Sequence, residues 1–383
     1  MALHDLTDFL RLSAALNMQL TAQGVGRENI VRLITNRVPL ERDSERKALL
    51  HVLEYLDHAY GAQRRRVGPP AILHPLRATA LLSQAAGRPH LLDMLTELLH
   101  DKYEDLTVEA LGPERFGEAE AKFRNLLKDI DPTDEWYLME RLDHLAIRAG
   151  ESYYEYIGRL LDRTVQTPEL VRVKLADRLD NTLDMHINVD DLLKDTDFFR
   201  VIFQVLFPPS GSGYRTGIEH PVNSPLDGAQ RLYQLFKNAI LLSLIREKGL
   251  VRGDRTSARL FDALALAGMN EAQRIALHIM AYHETDVERQ RSILMEVQGY
   301  AQAGGLAQIT SPGGKHLLDG FCMNQFNYPD SSVRNQRLEE LYRDKELMLQ
   351  AALGFVVIFM NFAHSPDYWL RGISDQGITA AGN

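Results

Sequence analysis

The sequence predicts an all-α protein in two helical parts, and three observations carry that prediction. Apolar residues recur at three- and four-residue intervals, as in Leu49, Val52, Leu53 and Leu56, which fall on one face of a helix. Alternating β-branched residues, the mark of half-buried strands, are scarce along the whole chain. Proline and glycine interrupt the pattern at spacings that suit helices. With 383 residues there is material for two cores, because a single core rarely grows beyond about 250–300 residues.

Taken in order, the segments read as follows. Pro75 suits a first helical turn, where its missing N–H costs nothing, so a helix is predicted over Leu76–Ala86, ended by Gly87-Arg88-Pro89. The next helix runs through Leu91, Leu92, Met94, Leu95 and Leu98 and carries His100-Asp101 near its C-terminal end. If that helix continues, His100 and Glu104 lie one turn apart and face one cavity. A short helix over Thr107–Phe116 has a break at Gly112-Pro113. After the turn at 129–134, helices are predicted from Glu135 to about Ala149 and over Glu151–Asp162, with Gly150 as the stop between them. Pro168 opens a helix that carries Lys174, Asp177 and Asn181, the last two on one face. Phe207-Pro208-Pro209-Ser210-Gly211-Ser212-Gly213 is a composition break, and the reading divides the chain into 1–200, a linker over 201–228, and a helical region over 229–383. Further helices are predicted at Ala229–Lys248, Thr256–Ala267, Glu271–His283, Asp286–Ala303, Ser332–Gln350 and Ala351–His364.

Composition excludes several classes. A hydrophobic content of 45% with 25% charged residues is that of an ordinary globular protein. The net charge of −9 argues against a general nucleic-acid binder, which gains its affinity from a basic face. The lone cysteine, Cys322, allows neither an intrachain disulfide nor a thiolate zinc cluster, which fits a reducing cytoplasm. Asp5 and Asp8 break the apolar N-terminus, so no secretory signal is predicted there. The apolar run 351–362 is too short to span a bilayer and reads as a buried helix, so no membrane association is expected.

The chemistry-bearing residues are His74, His100, Asp101 and Asp177, in the phrases Leu73-His74-Pro75-Leu76, Leu98-Leu99-His100-Asp101 and Lys174-Leu175-Ala176-Asp177-Arg178-Leu179. Each alone has a plain reading: a helix-start histidine, a chance His-Asp pair, an arginine-paired carboxylate. Together, among leucines, they make a metal site the better account, since charged groups sit in apolar surroundings only when paired or metal-bound. Two imidazoles and two carboxylates are the ligand set of a divalent cation that keeps open positions for water and a phosphate. Arg64-Arg65-Arg66 is the one basic run beside these phrases.

These blocks carry a family resemblance. Residues from about 55 to 186 resemble the HD-domain hydrolases of the RelA/SpoT type, which remove the 3′-diphosphate from (p)ppGpp. Gln63-Arg64-Arg65-Arg66-Val67-Gly68-Pro69-Pro70-Ala71-Ile72-Leu73-His74-Pro75 is similar to the family's Gln-x-Arg…Gly-x-Pro-x-x-x-His-Pro segment. His100-Asp101-Lys102-Tyr103-Glu104-Asp105 is similar to its His-Asp-x-x-Glu-Asp, and 173–181 to its Lys-Leu-Ala-Asp-Arg-x-x-Asn. The chain departs at Ala59-Tyr60-Gly61-Ala62-Gln63, where the family often has Ala-His before the glutamine. The resemblance implies an HD-type helical bundle in which His74, His100, Asp101 and Asp177 hold one Mn²⁺-like ion. It further implies that Glu104 and Asp105 position or activate the attacking water, that Arg65 stacks near the purine and that Asn181 touches the nucleotide. Lys174 has two readings, balancing phosphate charge or making a structural salt bridge to Asp177 or Asp184.

Other phrases carry less. Thr310-Ser311-Pro312-Gly313-Gly314-Lys315-His316 lacks the first glycine and the hydroxyl residue of a phosphate loop, and reads as a turn. His278 and His283 are five apart, which is not zincin spacing. No alarmone synthetase half follows residue 200, and the apolar helices after it could equally pair two copies of the chain. Substrates other than (p)ppGpp stay open at this point, namely a dNTP, a nucleoside monophosphate or NADPH, as does a nucleotide-sensing or scaffolding protein without turnover.

Overall fold

Helix follows helix from Leu6 to His364, and among the described residues the strands amount to one two-residue hairpin, Ile373–Ser374 against Gly377–Ile378. The all-α expectation holds. The computed structural model of the chain describes residues 2–22, 26–65, 68–185, 193, 196–207, 214 and 227–378. It divides into two compact units, which cut the chain elsewhere than the 1–200, 201–228 and 229–383 division read from composition. Unit 1 is Met1–Glu151, Arg159–Asp184 and Leu250–Leu264, and unit 2 is Ser152–Gly158, Met185–Gly249 and Ala265–Asn383. Most of the expected linker lies outside the described residues, but its start is helical, because a helix runs over Phe198–Leu206.

Unit 1 holds helices α1 (Leu6–Thr21), α2 (Gly26–Ile34), α3 (Asp43–Tyr60), α4 (Leu73–Ala86), α5 (Leu91–Leu99), α6 (Lys102–Asp105), α7 (Val108–Leu111), α8 (Pro113–Leu127) and α9 (Pro132–Leu145). Next along the chain come α10 (Tyr153–Arg163), with residues in both units, and α11 (Glu169–Asp184), again in unit 1. Helix α4 packs on α11, α5, α1 and α2 and is buried nearly all round, the pattern of a central helix. Its apolar side chains join those of α3, α5, α8 and α9 in one continuous core that includes Leu53, Leu76, Leu95, Phe123 and Leu142. At about 1.5–3 kcal/mol for each fully buried aliphatic side chain, this core is what holds the site's elements in place.

Local chemistry sets the boundaries. Helix α4 starts at Leu73, earlier than the predicted Leu76, so His74 is itself in the first turn beside Pro75. The α5 helix stops at Leu99 and does not run on to Glu104: Asp101 leaves the helical region (φ −87°, ψ 6°) and a new short helix, α6, begins at Lys102. Asp131 caps α9 by accepting the Thr133 N–H, and the helix ends at Leu145, short of the expected Ala149.

Unit 2 contains α12 (Phe198–Leu206), α13 (Gly228–Glu247), most of α14 (Arg255–Tyr282), α15 (Val287–Gln302), α16 (Phe321–Phe326), α17 (Ser331–Arg343) and α18 (Lys345–His364). Helix α18 packs against α13, α15 and α17. By length and composition it could cross a membrane, but 67% of its most apolar stretch is buried inside the fold, as in the core helix of a folded domain. Two sequence expectations fail here. The predicted helices Thr256–Ala267 and Glu271–His283 are one continuous α14, in which Gly268 lies against the Phe359 ring so that packing outweighs its low helix propensity. The predicted Ser332–Gln350 helix breaks at Asp344, whose side chain accepts the Leu347 N–H and starts α18 instead.

Candidate metal centre

Three segments of unit 1 bring the tetrad together. The first turn of α4 supplies His74, the break between α5 and α6 supplies His100 and Asp101, and the middle of α11 supplies Asp177. The two imidazole Nε2 atoms are 3.1 Å apart. His100 Nε2 is 3.1 Å from Asp101 Oδ1 and 3.8 Å from Asp177 Oδ1. His74 Nε2 is 3.5 Å from Asp101 Oδ2 and 3.4 Å from Asp177 Oδ1. His74, His100 and Asp177 are buried, and Asp101, with its side chain 21% exposed, lies on the open side.

The donor set fits a divalent cation. His100 Nδ1 lies 2.7 Å from the Glu97 carbonyl oxygen, which only accepts, so Nδ1 carries a proton and the neutral ring offers its Nε2 lone pair. That lone pair meets another imidazole nitrogen and two carboxylates, a set of acceptors that a cation would reconcile. Without a metal, protons must do this work. Burial disfavours charge on His100, but Asp101, Asp177 and Glu97 outweigh it and raise its pKa well above the ordinary value. Burial likewise opposes ionisation of Asp101, and His100 and His74 overcome it to hold that carboxyl low, at about 2. His74, His100 and Asp101 can hold one divalent ion, with their ligand atoms all within 4.8 Å of one another.

The other predicted residues surround this centre unevenly. Glu104 and Asp105 are at its exposed edge on α6, and both backbone N–H groups donate to the Asp101 carbonyl, at 3.1 and 2.8 Å. Partial desolvation raises both carboxyls, with the Asp101 charge adding to it. Glu104 Oε1 also accepts the Ile147 N–H at 3.2 Å, which ties the segment after α9 to the rim. Lys174 Nζ is 2.8 Å from Asp177 Oδ2, so the ion pair that was one of its two readings is present. The Gly68 N–H donates to the Arg65 carbonyl, and Gly68 adopts φ +104°, open to glycine alone without strain. Arg66 and Val67 lie outside the described residues. Arg65 reaches α11, where its Nη2 donates to Asn181 Oδ1 at 2.5 Å and Asn181 Nδ2 in turn donates to Asp177. Two residues read as nucleotide contacts are therefore joined to each other and to a metal-ligand candidate.

Sequence reading missed a second layer of charge. Arg77, fully buried on α4, donates from Nε to Asp180 Oδ1 at 2.8 Å and from Nη2 to Asp180 Oδ2 at 3.1 Å. Its Nη2 also lies 2.7 Å from Asp184 Oδ1, and Arg65 Nε lies 3.0 Å from Asp184 Oδ2. The same Asp180 Oδ2 lies 2.6 Å from His74 Nδ1. Glu97 is the other omission: neither carboxyl oxygen has a hydrogen-bond partner among the described residues, and burial raises its pKa well above the ordinary range. The only sequence signal was spacing, since Asp180 and Asp184 repeat four residues apart on the helix of Asp177 and Glu97 precedes His100 by one turn.

No family model and no solved structure matches the chain. Among curated proteins it is similar to a guanosine-3′,5′-bis(diphosphate) 3′-pyrophosphohydrolase of Aquifex aeolicus (strain VF5), with 32% identity over 157 residues. That stretch is 38% of this chain and 20% of the Aquifex protein, so the chain matches only a small part of its relative's length. Over that stretch the chain is related to a pyrophosphohydrolase of this kind.

Proposed function

We propose that the chain is a metal-dependent phosphohydrolase of the HD type that removes the 3′-diphosphate of a guanosine alarmone, (p)ppGpp, and releases pyrophosphate. The observation that carries this reading is the convergence of His74 Nε2, His100 Nε2 and carboxylate oxygens of Asp101 and Asp177 at separations of 3.1–3.8 Å. The similarity to a curated pyrophosphohydrolase supports the substrate class.

His74, His100, Asp101 and Asp177 hold the ion, Mn²⁺ in this reading. When bound, such a cation polarises a phosphoryl oxygen and lowers the pKa of water. Glu104 or Asp105 orients the attacking water and takes its proton; their raised pKa values bring them closer to neutrality, where a general base works best. The water oxygen bonds to phosphorus as the ester bond to the ribose 3′-oxygen breaks, and the proton taken from the water passes on to that oxygen, leaving a 3′-hydroxyl. Lys174, beside Asp177, balances the phosphate charge that grows in the transition state. Arg65 and Asn181, hydrogen-bonded to each other, receive the nucleoside side of the substrate.

The test is metal analysis of the purified protein with a Mn²⁺-dependent hydrolysis panel of ppGpp, pppGpp, dNTPs and NADPH. Pyrophosphate release from the alarmones alone supports the full reading. Turnover of another nucleotide keeps the chemistry and discards the alarmone, and bound metal without any turnover discards the enzyme.

A further inference from the structure

His74 has two nitrogens with different tasks, and the fold assigns the second one a buried partner. Nε2 points to His100, Asp101 and Asp177, while Nδ1 points the other way, 2.6 Å from Asp180 Oδ2. Asp180 has no solvent exposure, and both of its oxygens accept from Arg77, which fixes the plane of the carboxylate. The guanidinium groups of Arg77 and Arg65 lie against the carboxylates of Asp180 and Asp184. Asp180 paired with a guanidinium is an acceptor only, so the proton between it and His74 belongs to Nδ1.

We infer that Asp180, clamped by Arg77, is the positioning residue that keeps the His74 proton on Nδ1 and turns the Nε2 lone pair into the metal site. This deepens the proposed function and rests on it. The carboxylate acts through the imidazole and touches neither metal nor substrate. Partners of this kind orient a ligand ring and raise its basicity. Helix α11 then does two jobs at once: Asp177 faces the ion and Asp180, three residues on, holds a ligand from α4.

Asp180→Asn tests the idea because the amide cannot satisfy both neighbours. If its oxygen accepts from Arg77 Nε, its NH₂ faces His74 Nδ1 and drives the proton to Nε2, closing the lone pair. If its oxygen faces His74, its NH₂ opposes the Arg77 Nε–H, a donor against a donor. Asp184→Asn is the control, since it removes the same charge from the same network without touching His74. Mn²⁺ affinity by calorimetry is expected to fall about 10–100-fold in Asp180→Asn and to change by less than about threefold in Asp184→Asn. Nitrogen-15 NMR of the metal-free full chain reads the mechanism directly: His74 Nδ1 is expected to carry a proton in the wild type and to lose it in Asp180→Asn.

Equal losses of affinity in the two variants, or a wild-type Nδ1 without a proton, overturn the inference. The wild-type spectrum decides even if Asp180→Asn does not fold. Intact Mn²⁺ binding with a protonated Nδ1 but no nucleotide turnover would instead sink the phosphohydrolase reading and leave Asp180 in its role.

Discussion

Replacing Arg77 by methionine measures how much the buried charge layer under the candidate metal centre depends on its central cation. Arg77 and Asp180 are both fully buried, and Asp184 is 1% exposed, so neither carboxylate can turn to solvent. Breaking a buried pair by removing one partner costs about 3–5 kcal/mol, because the remaining charge is stranded. Here the low end applies. Arg65 still lies 3.0 Å from Asp184, and His74 still lies 2.6 Å from Asp180. Methionine also keeps much of the volume of the arginine stem, which limits the cavity contribution, although the contact of the guanidinium with the Phe9 ring at 4.9 Å is lost. A loss of about 3 kcal/mol follows, which at a urea slope of about 2 kcal/mol per molar moves the midpoint by roughly 1.5 M. The chain has two tryptophans, so Trp369→Phe leaves Trp136 on α9 to report unit 1 by fluorescence during urea unfolding. Adding Asp184→Asn should recover part of the loss, since without Arg77 two carboxylates face the single guanidinium of Arg65 and this change removes the surplus charge. A midpoint shift below about 0.5 M, or a second substitution that adds its full cost instead of recovering stability, would refute the reasoning.

Other expectations follow from the same geometry. Asp101→Ala should abolish Mn²⁺-dependent turnover while leaving a soluble, folded protein, checked by metal content, far-UV circular dichroism and hydrolysis rate; full activity would remove Asp101 from the site. Glu104→Gln should lower kcat by about 10²–10⁴-fold with Mn²⁺ affinity little changed, because it touches the water and not the ion. Asp254, which accepts from Arg172, Ser257 and Thr256, has its pKa lowered: burial opposes ionisation, but these donors outweigh it. A depressed carboxyl stabilises the fold above its unfolded value of 3.8, and that contribution is lost as pH falls through the lower folded value. Asp254→Asn should therefore be less stable than the wild type near pH 7, and the two should converge in acid below 3.8, as followed by urea midpoints across pH. Gly268→Ala would place a Cβ 2.8 Å from the Phe359 ring, and overpacking of about 1–3 kcal/mol should outweigh the roughly 1 kcal/mol of helix propensity gained, seen as a lower Tm.

The sequence by itself determined the helical class, the three phrases that meet at the candidate metal centre, and most helix starts. These are local properties. Apolar spacing sets which face of a helix is buried, and proline, aspartate and glycine cap or stop helices through their own backbone and side-chain chemistry. His74, His100, Asp101 and Asp177 were legible for a related reason, since charged side chains set among leucines require a partner wherever they lie. Tertiary structure alone decided who the partners are. Arg65 reaches Asn181 across 116 residues, and Arg77 reaches Asp180 across 103, so no spacing in the chain could announce either pair. Packing also overrode local signals where they were weak, joining two expected helices into α14 because Gly268 is pressed against Phe359. Long-range charge pairing and close packing depend on which helix faces meet, and that is settled when the core forms.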